Sequence, residues 1–95
     1  MNNILTIKDP INKIVYLSHE RWLHIIIEHP ELTNRIQDIE STVTNPNFTR
    51  ESKRDKKVLY YYKYNKMQAK YLLVAVKYLN GKGFIITAFN VRKIK

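Results

Sequence analysis

The stretch "RWLHIIIEHPEL", residues 21–32, sets two histidines and two glutamates around three consecutive isoleucines. On a helix, Glu20, His24 and Glu28 are four residues apart and fall on one stripe. A histidine between two carboxylates is placed to act as a general acid or base near neutral pH. The same row is also what a solvated, helix-stabilising charge stripe looks like, and spacing alone favours that plainer reading. Trp22, Ile25, Ile26 and His29 make a second stripe, the natural buried face. His29 stands just before Pro30, where a histidine is expected to cap the last carbonyls rather than to catalyse. The two histidines are five residues apart, which is not the spacing of a helical zinc pair, so no metal site is expected.

A different set of groups lies further along. Tyr60, Tyr61, Tyr62 and Tyr64 are interleaved with Lys57, Lys63 and Lys66. Aromatic rings among cations suit single-stranded RNA, because bases stack on the rings while lysines meet phosphates. On a strand, alternation sends Tyr60, Tyr62 and Tyr64 to one face and Tyr61 and Lys63 to the other, so one tyrosine set belongs to the core. Arg50, Lys53, Arg54, Lys56 and Lys57 form a basic cluster that is either a solvated loop or a phosphate-binding rim. Thr87, within the otherwise apolar "FIITAF", offers a hydroxyl to a phosphate or a base, although packing also explains a threonine in a strand. No phosphate-cradling glycine loop, Ser-His-acid arrangement or nucleophilic cysteine can be assembled.

The elements that must carry these residues follow from punctuation and period. "ILTIKDPINKIVYLS" has a turn signal at Asp9-Pro10 between two β-type runs, read as a hairpin or a strand on a sheet edge. Ser18 is a good N-cap for a helix over residues 19–29. Pro30 suits the first turn of a second helix, with Glu31 near its N-terminus and Ile36, Ile39 and Val43 at helical spacing. From Phe48 onward four runs, "FTRES", "KVLYYYKYN", "AKYLLVAVKYLN" and "GFIITAFNVRK", read as strands joined by short turns. Asn80-Gly81-Lys82-Gly83 is the strongest hairpin signal. A two-residue loop there puts Leu72, Val74, Val76 and Tyr78 on one face with Ile85, Thr87, Phe89 and Val91, and a three-residue loop swaps one strand. The expected architecture is α+β: two N-terminal helices packed on a four-stranded antiparallel meander, one domain over residues 1–95.

Composition narrows the function classes. Ninety-five residues with 44% hydrophobic and 26% charged content make one small globular domain. There is no cysteine, so disulfides and thiolate metal sites are excluded. The apolar runs are too short to span a bilayer and no signal peptide is evident, so a cytoplasmic protein away from membranes is the expectation. The net charge of +9 is unevenly placed: residues 1–47 sum to −2 and residues 48–95 to +11. That asymmetry points to a polyanion, with nucleic acid ahead of an anionic membrane surface.

Taken together, "LSHERWLHIIIEHPEL", "NPNF", the Tyr/Lys strand, "YLLVAVK" and "FIITAF" resemble the small phage-type members of the barnase–EndoU–colicin–RelE (BECR) nuclease superfamily, over roughly residues 14–93. The resemblance implies N-terminal helices before a four-stranded antiparallel sheet, and RNA cleavage without metal or other cofactor. In that chemistry the 2′-hydroxyl attacks the adjacent phosphorus, leaving a cyclic phosphate and a 5′-hydroxyl. By position, the resemblance makes His24 the acid or base and Thr87 the hydroxyl that contacts phosphate. It lets Tyr62 stack a base or supply a hydroxyl. Arg50, Lys63, Lys70 and Lys77 are the candidates to stabilise charge on the phosphate, and His29 with Glu31 forms a positional corner. The implied partners are RNA (tRNA or mRNA) and an acidic antitoxin or immunity protein. The competing expectations are a non-catalytic RNA-binding module and an interaction domain for an acidic partner protein.

Overall fold

A computed structural model describes residues 2–94. The chain runs β1 (Asn3–Lys8), β2 (Ile14–Ser18), α1 (His19–Glu28), a 3-10 turn (Pro30–Leu32), α2 (Ile36–Thr44), β3 (Phe48–Glu51), β4 (Val58–Asn65), β5 (Lys70–Leu79) and β6 (Lys82–Val91). The strands form one six-stranded mixed sheet in the order β1-β2-β6-β5-β4-β3. This corrects the expected four-stranded antiparallel meander. The meander is present as β3 to β6, but the N-terminal hairpin extends it, because β2 joins β6 in parallel through Val15↔Gly83 and Tyr16↔Phe84. Short apolar runs gave the hairpin away; nothing in them could say which edge it would join.

The helices begin and end where local chemistry requires. The Ser18 side chain accepts a hydrogen bond from the Arg21 amide at 3.1 Å, satisfying one of the orphan donors at the start of α1. Pro30, with no N–H to give, ends that helix and opens the 3-10 turn. The second helix therefore starts at Ile36, later than Pro30 alone suggests. Arg35 anchors its start: Nε donates to Asp38 Oδ2 at 2.7 Å, and Nη1 donates to Gln68 Oε1 and Asn90 Oδ1, both at 3.0 Å. One side chain thus ties α2 to β6 and to the β4–β5 turn.

Both helices lie on one face of the sheet. Ile25, Leu32, Ile39 and Val43 are buried there against Val15, Leu17, Tyr61, Leu72, Val74, Val76, Ile85 and Ala88. The opposite face carries no helix, yet Val58, Tyr62, Leu73 and Ala75 are buried on it beneath Tyr60, Tyr71, Ile86, Phe89 and Val91. Large side chains shield one another across the strands, which is how an uncovered sheet face keeps its centre dry.

A bulge in β6 decides which residues reach which face. The turn at Asn80 (φ 55°) and Gly81 (φ 78°) is a two-residue loop with Leu79 opposite Lys82. Regular pairing from that loop would place Thr87 and Phe89 under the helices with Val74 and Leu72. Instead the register shifts between Ala75 and Val76, so that Ile85 opposes Val76 while Thr87 opposes Ala75. Ile86 is the extra residue. Beyond it the faces exchange: Ala88 and Asn90 turn to the helices, and Thr87, Phe89 and Val91 turn to the open face. The facing set expected from sequence thus holds for Ile85 and reverses from Thr87 onward.

The hairpin tip is fastened by a buried carboxylate. Asp9 Oδ1 accepts from the amides of Ile11 and Lys13, both at 2.9 Å, and Oδ2 accepts from the Tyr78 hydroxyl at 2.8 Å. The Tyr61 hydroxyl meets that of Tyr78. Burial, and then the neighbouring phenol and carboxylate, push the Tyr78 hydroxyl far above the ordinary tyrosine range; burial also raises Tyr61. Where β2 meets β6, Gly83 leaves no room for a side chain: an added Cβ would lie 2.8 Å from Val76 Cγ1 and 2.9 Å from Val15 Cγ2.

Two stability results follow. Gly83→Ala should lower the urea midpoint by an amount equivalent to about 1–3 kcal/mol, because it overpacks the β2–β6 junction; an unchanged midpoint would mean that the hairpin is not docked there. Raised phenol pKa values mean that the folded state holds protons the unfolded state has lost. Stability should therefore be complete below pH ~10 and fall as pH rises beyond it. An alkaline titration read at the phenolate absorbance should show a late-ionising fraction that includes Tyr61 and Tyr78, and each of their Phe variants should reduce it.

Candidate functional site

The residues with chemistry converge on the open face rather than on the exposed side of α1. Tyr60, Tyr62, Leu73, Ala75, Ile86, Thr87, Phe89, Val91, Arg92 and Lys93 line a cavity of about 750 Å³. A second, smaller hollow beside it is lined by Arg50, Glu51, Ser52, Lys53, Arg54 and the same Tyr60 and Tyr62. The two therefore share a tyrosine wall and make one groove across β3, β4, β5 and β6. Cations stand at both ends, with Arg50, Lys53 and Arg54 at one and Arg92 and Lys93 at the other. Between them are aromatic rings and three hydroxyls.

Each of these side chains is placed by strand geometry. Tyr60, Tyr62 and Tyr64 alternate to the open face, and Arg50 and Phe48 stand opposite Tyr60 and Tyr62 on β3. Tyr61 goes to the helix-covered core, so the tyrosine run divides as alternation requires. The bulge brings Ile86 and Thr87 to the same cavity, where a regular strand would send them to opposite faces. Tyr62 is almost wholly buried, and that burial raises its phenol above the ordinary value, while the Arg50 charge acts in the other direction. At neutral pH it is thus a neutral O–H donor at the floor of the groove.

His29 lies outside the lining of the groove and reaches it through Phe89. Its ring stacks on Phe89, with centroids 5.5 Å apart and planes 23° from parallel, and Phe89 lines the cavity. Its Nδ1 lies 3.8 Å from Glu31 Oε2. His24 is placed differently. It is 55% exposed on the outer side of α1, with Nε2 3.2 Å from Glu28 Oε1, and is not among the residues lining the groove. Thr87 and Tyr62 thus line one cavity, Arg50 and Tyr62 line the hollow beside it, and neither His24 nor His29 is in the lining of either, although His29 stacks on Phe89 in the cavity wall.

The other expected phosphate ligands are dispersed. Lys63 points to the helix side, where Nζ donates to the carbonyl of Asn45, the C-cap of α2, at 2.9 Å. Lys70, opposite Asn65, alternates to that side as well. Lys77 is on the open face but sits at its far end, paired with Asp55 at 2.9 Å. That contact holds the Asp55 carboxyl below its ordinary value. Arg92, Lys93 and Phe89 were not singled out from sequence. Their signal was present in "AFNVRK", yet only the bulge shows that this end of β6 faces outward. Among the described residues no three His, Asp or Glu side chains gather in a way that could hold a metal ion, and no helix is long and apolar enough to cross a membrane.

Comparison with protein-family models, with curated proteins and with solved structures found no match to this chain. The functional reading accordingly rests on the groove itself.

If the groove binds through phosphates, reversing charge at its far end should weaken binding for all sequences alike. Arg92→Glu with Lys93→Glu should flatten the slope of log affinity against log salt by about 1 to 2 for a single-stranded oligonucleotide. Titration by fluorescence anisotropy at several salt concentrations measures this, with Lys82→Glu on the distant β5–β6 turn as the control that leaves the slope alone.

Proposed function

We propose that this chain is a small cytoplasmic ribonuclease that cleaves single-stranded RNA by 2′-hydroxyl attack, with the groove on the open sheet face as its active site. The observation that carries this reading is that Tyr62 joins the cavity lined by Thr87 to the hollow lined by Arg50, with an imidazole stacked on Phe89 in the cavity wall. Binding alone needs cations and rings; hydroxyl donors such as Thr87 and the buried Tyr62, with a histidine close by, are what transesterification needs in addition.

The roles follow from chemistry at each position. Arg50, Arg92 and Lys93 hold the backbone, and Tyr60 and Phe89 give flat surfaces on which bases stack. His29, with Nδ1 toward Glu31, trades a proton through Nε2. It takes the proton of the 2′-oxygen as that oxygen bonds to phosphorus, and the bond from phosphorus to the 5′-oxygen breaks. The departing 5′-oxygen takes a proton from solvent water, which leaves as hydroxide and is neutralised by the proton that His29 has taken up, and one product carries a 2′,3′-cyclic phosphate. Thr87 and the neutral Tyr62 phenol donate to the non-bridging oxygens, and the Arg50 charge offsets what accumulates there. The resemblance to the BECR nucleases supports the reaction class but favoured His24 for the proton; the groove favours His29.

Purified protein incubated with total RNA in EDTA tests the reading, with product ends assayed for cyclic phosphate. The wild type should cut, and His29→Ala should lose about 10²- to 10⁴-fold in rate, the ordinary contribution of general acid–base catalysis. Thr87→Val and Tyr62→Phe should each lose rate while retaining affinity, and His24→Ala should stay within a few-fold of wild type. Loss of cleavage in His24→Ala with His29→Ala unaffected would return the proton to the outer stripe of α1. Salt-sensitive binding without cleavage of any RNA offered would make the groove an RNA-binding platform instead.

A further inference from the structure

The sheet ends at β3. This strand is the last in the sheet and all four of its residues are exposed. The Ser52 amide donates to the Val58 carbonyl at 3.0 Å, and Arg50 stands opposite Tyr60. Antiparallel alternation then turns the N–H and C=O groups of Arg50 toward β4, and those of Thr49 and Glu51 away from the sheet. These outward groups form a short hydrogen-bonding edge, the feature to which an extended chain can add.

Beside that edge, on the helix side of the sheet, lies a cavity of about 590 Å³ whose far wall is the β1–β2 hairpin tip. Ile11, Val58 and Leu59 give it an apolar lining, and Lys13, Lys56 and Lys57 rim it. The hollow continues past Thr49 and Pro10 toward Phe48 and Asn45. A strand added to β3 would send alternate side chains into this cavity and the others to the open face, where Arg50, Lys53 and Arg54 lie. Two carboxylates, Asp9 and Glu51, line these hollows against six cations, Lys13, Arg50, Lys53, Arg54, Lys56 and Lys57, and Asp9 is engaged by Tyr78 and two amides. The field met by an arriving strand is therefore positive.

We propose that the open edge of β3, with the groove between it and the hairpin tip, takes up an extended acidic segment of a protein partner as an added strand. Lysines and arginines around an edge repel a second copy of the same chain, which guards against self-association. The same charges admit an acidic strand, so the edge selects for sign. Apolar side chains of the segment enter the cavity beside Ile11 and Leu59, and acidic ones face Arg50, Lys53 and Arg54. Such a segment also competes with RNA for Arg50. That consequence rests on the RNA reading above, whereas the strand addition does not.

The probe is a labelled octapeptide of alternating glutamate and valine, followed by fluorescence anisotropy on the full chain. It should bind, and its lysine–valine counterpart should not. Thr49→Pro removes one outward N–H and leaves the pairing with β4 in place. It should weaken binding at least 10-fold with an unchanged urea midpoint, while Thr49→Val binds as wild type. A peptide of the same sequence methylated on alternate backbone nitrogens should lose binding in one of its two phases. Equal affinity for both methylated forms, or for Thr49→Pro, would show attraction by charge alone and overturn the proposal. So would failure of the parent peptide to bind, and neither result bears on RNA cleavage.

Discussion

One unpaired residue in β6 governs what the open face can do. With Ile86 accommodated as a bulge, Thr87 opposes Ala75 and Phe89 opposes Leu73. Without it, Thr87 and Phe89 would lie beneath the helices and Ala88 would face solvent. The bulge therefore supplies the core with a small, fully buried Ala88 under the helices and the groove with a hydroxyl and a ring. It also sets Asn90 where Arg35 can donate to it, so that the start of α2 is fixed by the same register shift. Bulges of this kind re-aim side chains at the cost of one ladder position.

The rest of the sheet makes that arrangement tolerable. An uncovered face this apolar invites association unless its large side chains protect one another. Tyr64 meets Tyr71 edge-on at 5.1 Å, and Phe48 meets Tyr71 at 6.3 Å. These contacts close one end of the face, while the groove stays open where Tyr60, Tyr62 and Phe89 stand apart. On the other side of the sheet the Asp9–Tyr78–Tyr61 chain holds the hairpin tip across the strands, so the sheet curls and the helices have a continuous floor. Burying one carboxylate is offset there by three hydrogen bonds to it.

Much of this was legible in the residues. Ser18 and Pro30 mark the ends of α1, the alternation of the tyrosine run separates Tyr61 from Tyr60 and Tyr62, and Asn80-Gly81 marks the hairpin. The excess positive charge lies in the half of the sequence that contains Arg50, Arg92 and Lys93. Two things were hidden. The parallel junction of β2 with β6 depends on the tight space over Gly83, and a glycine beside a hairpin turn reads as part of the turn. The bulge depends on tertiary packing, since "FIITAF" alternates equally well in either register. Because Thr87 lies just past the bulge, its face could not be read from period two alone.

The two histidines show how the same limit acts on a helix. By spacing, His24 joins a row of acids and His29 joins the buried stripe, which made His24 the better candidate for chemistry. The helix cannot continue through Pro30, however, and His29 leaves it at φ −133°. A residue released from helical geometry no longer obeys the stripe to which its number assigns it. By that point β2 has turned into α1, and its pairing with β6 extends over Val15 and Tyr16 alone. The outer side of β6 is thus left for the end of α1, and the ring of His29 comes to rest on Phe89. Pro30 and the bulge, far apart in sequence, are together what bring an imidazole onto Phe89, a wall residue of the hydroxyl-lined groove.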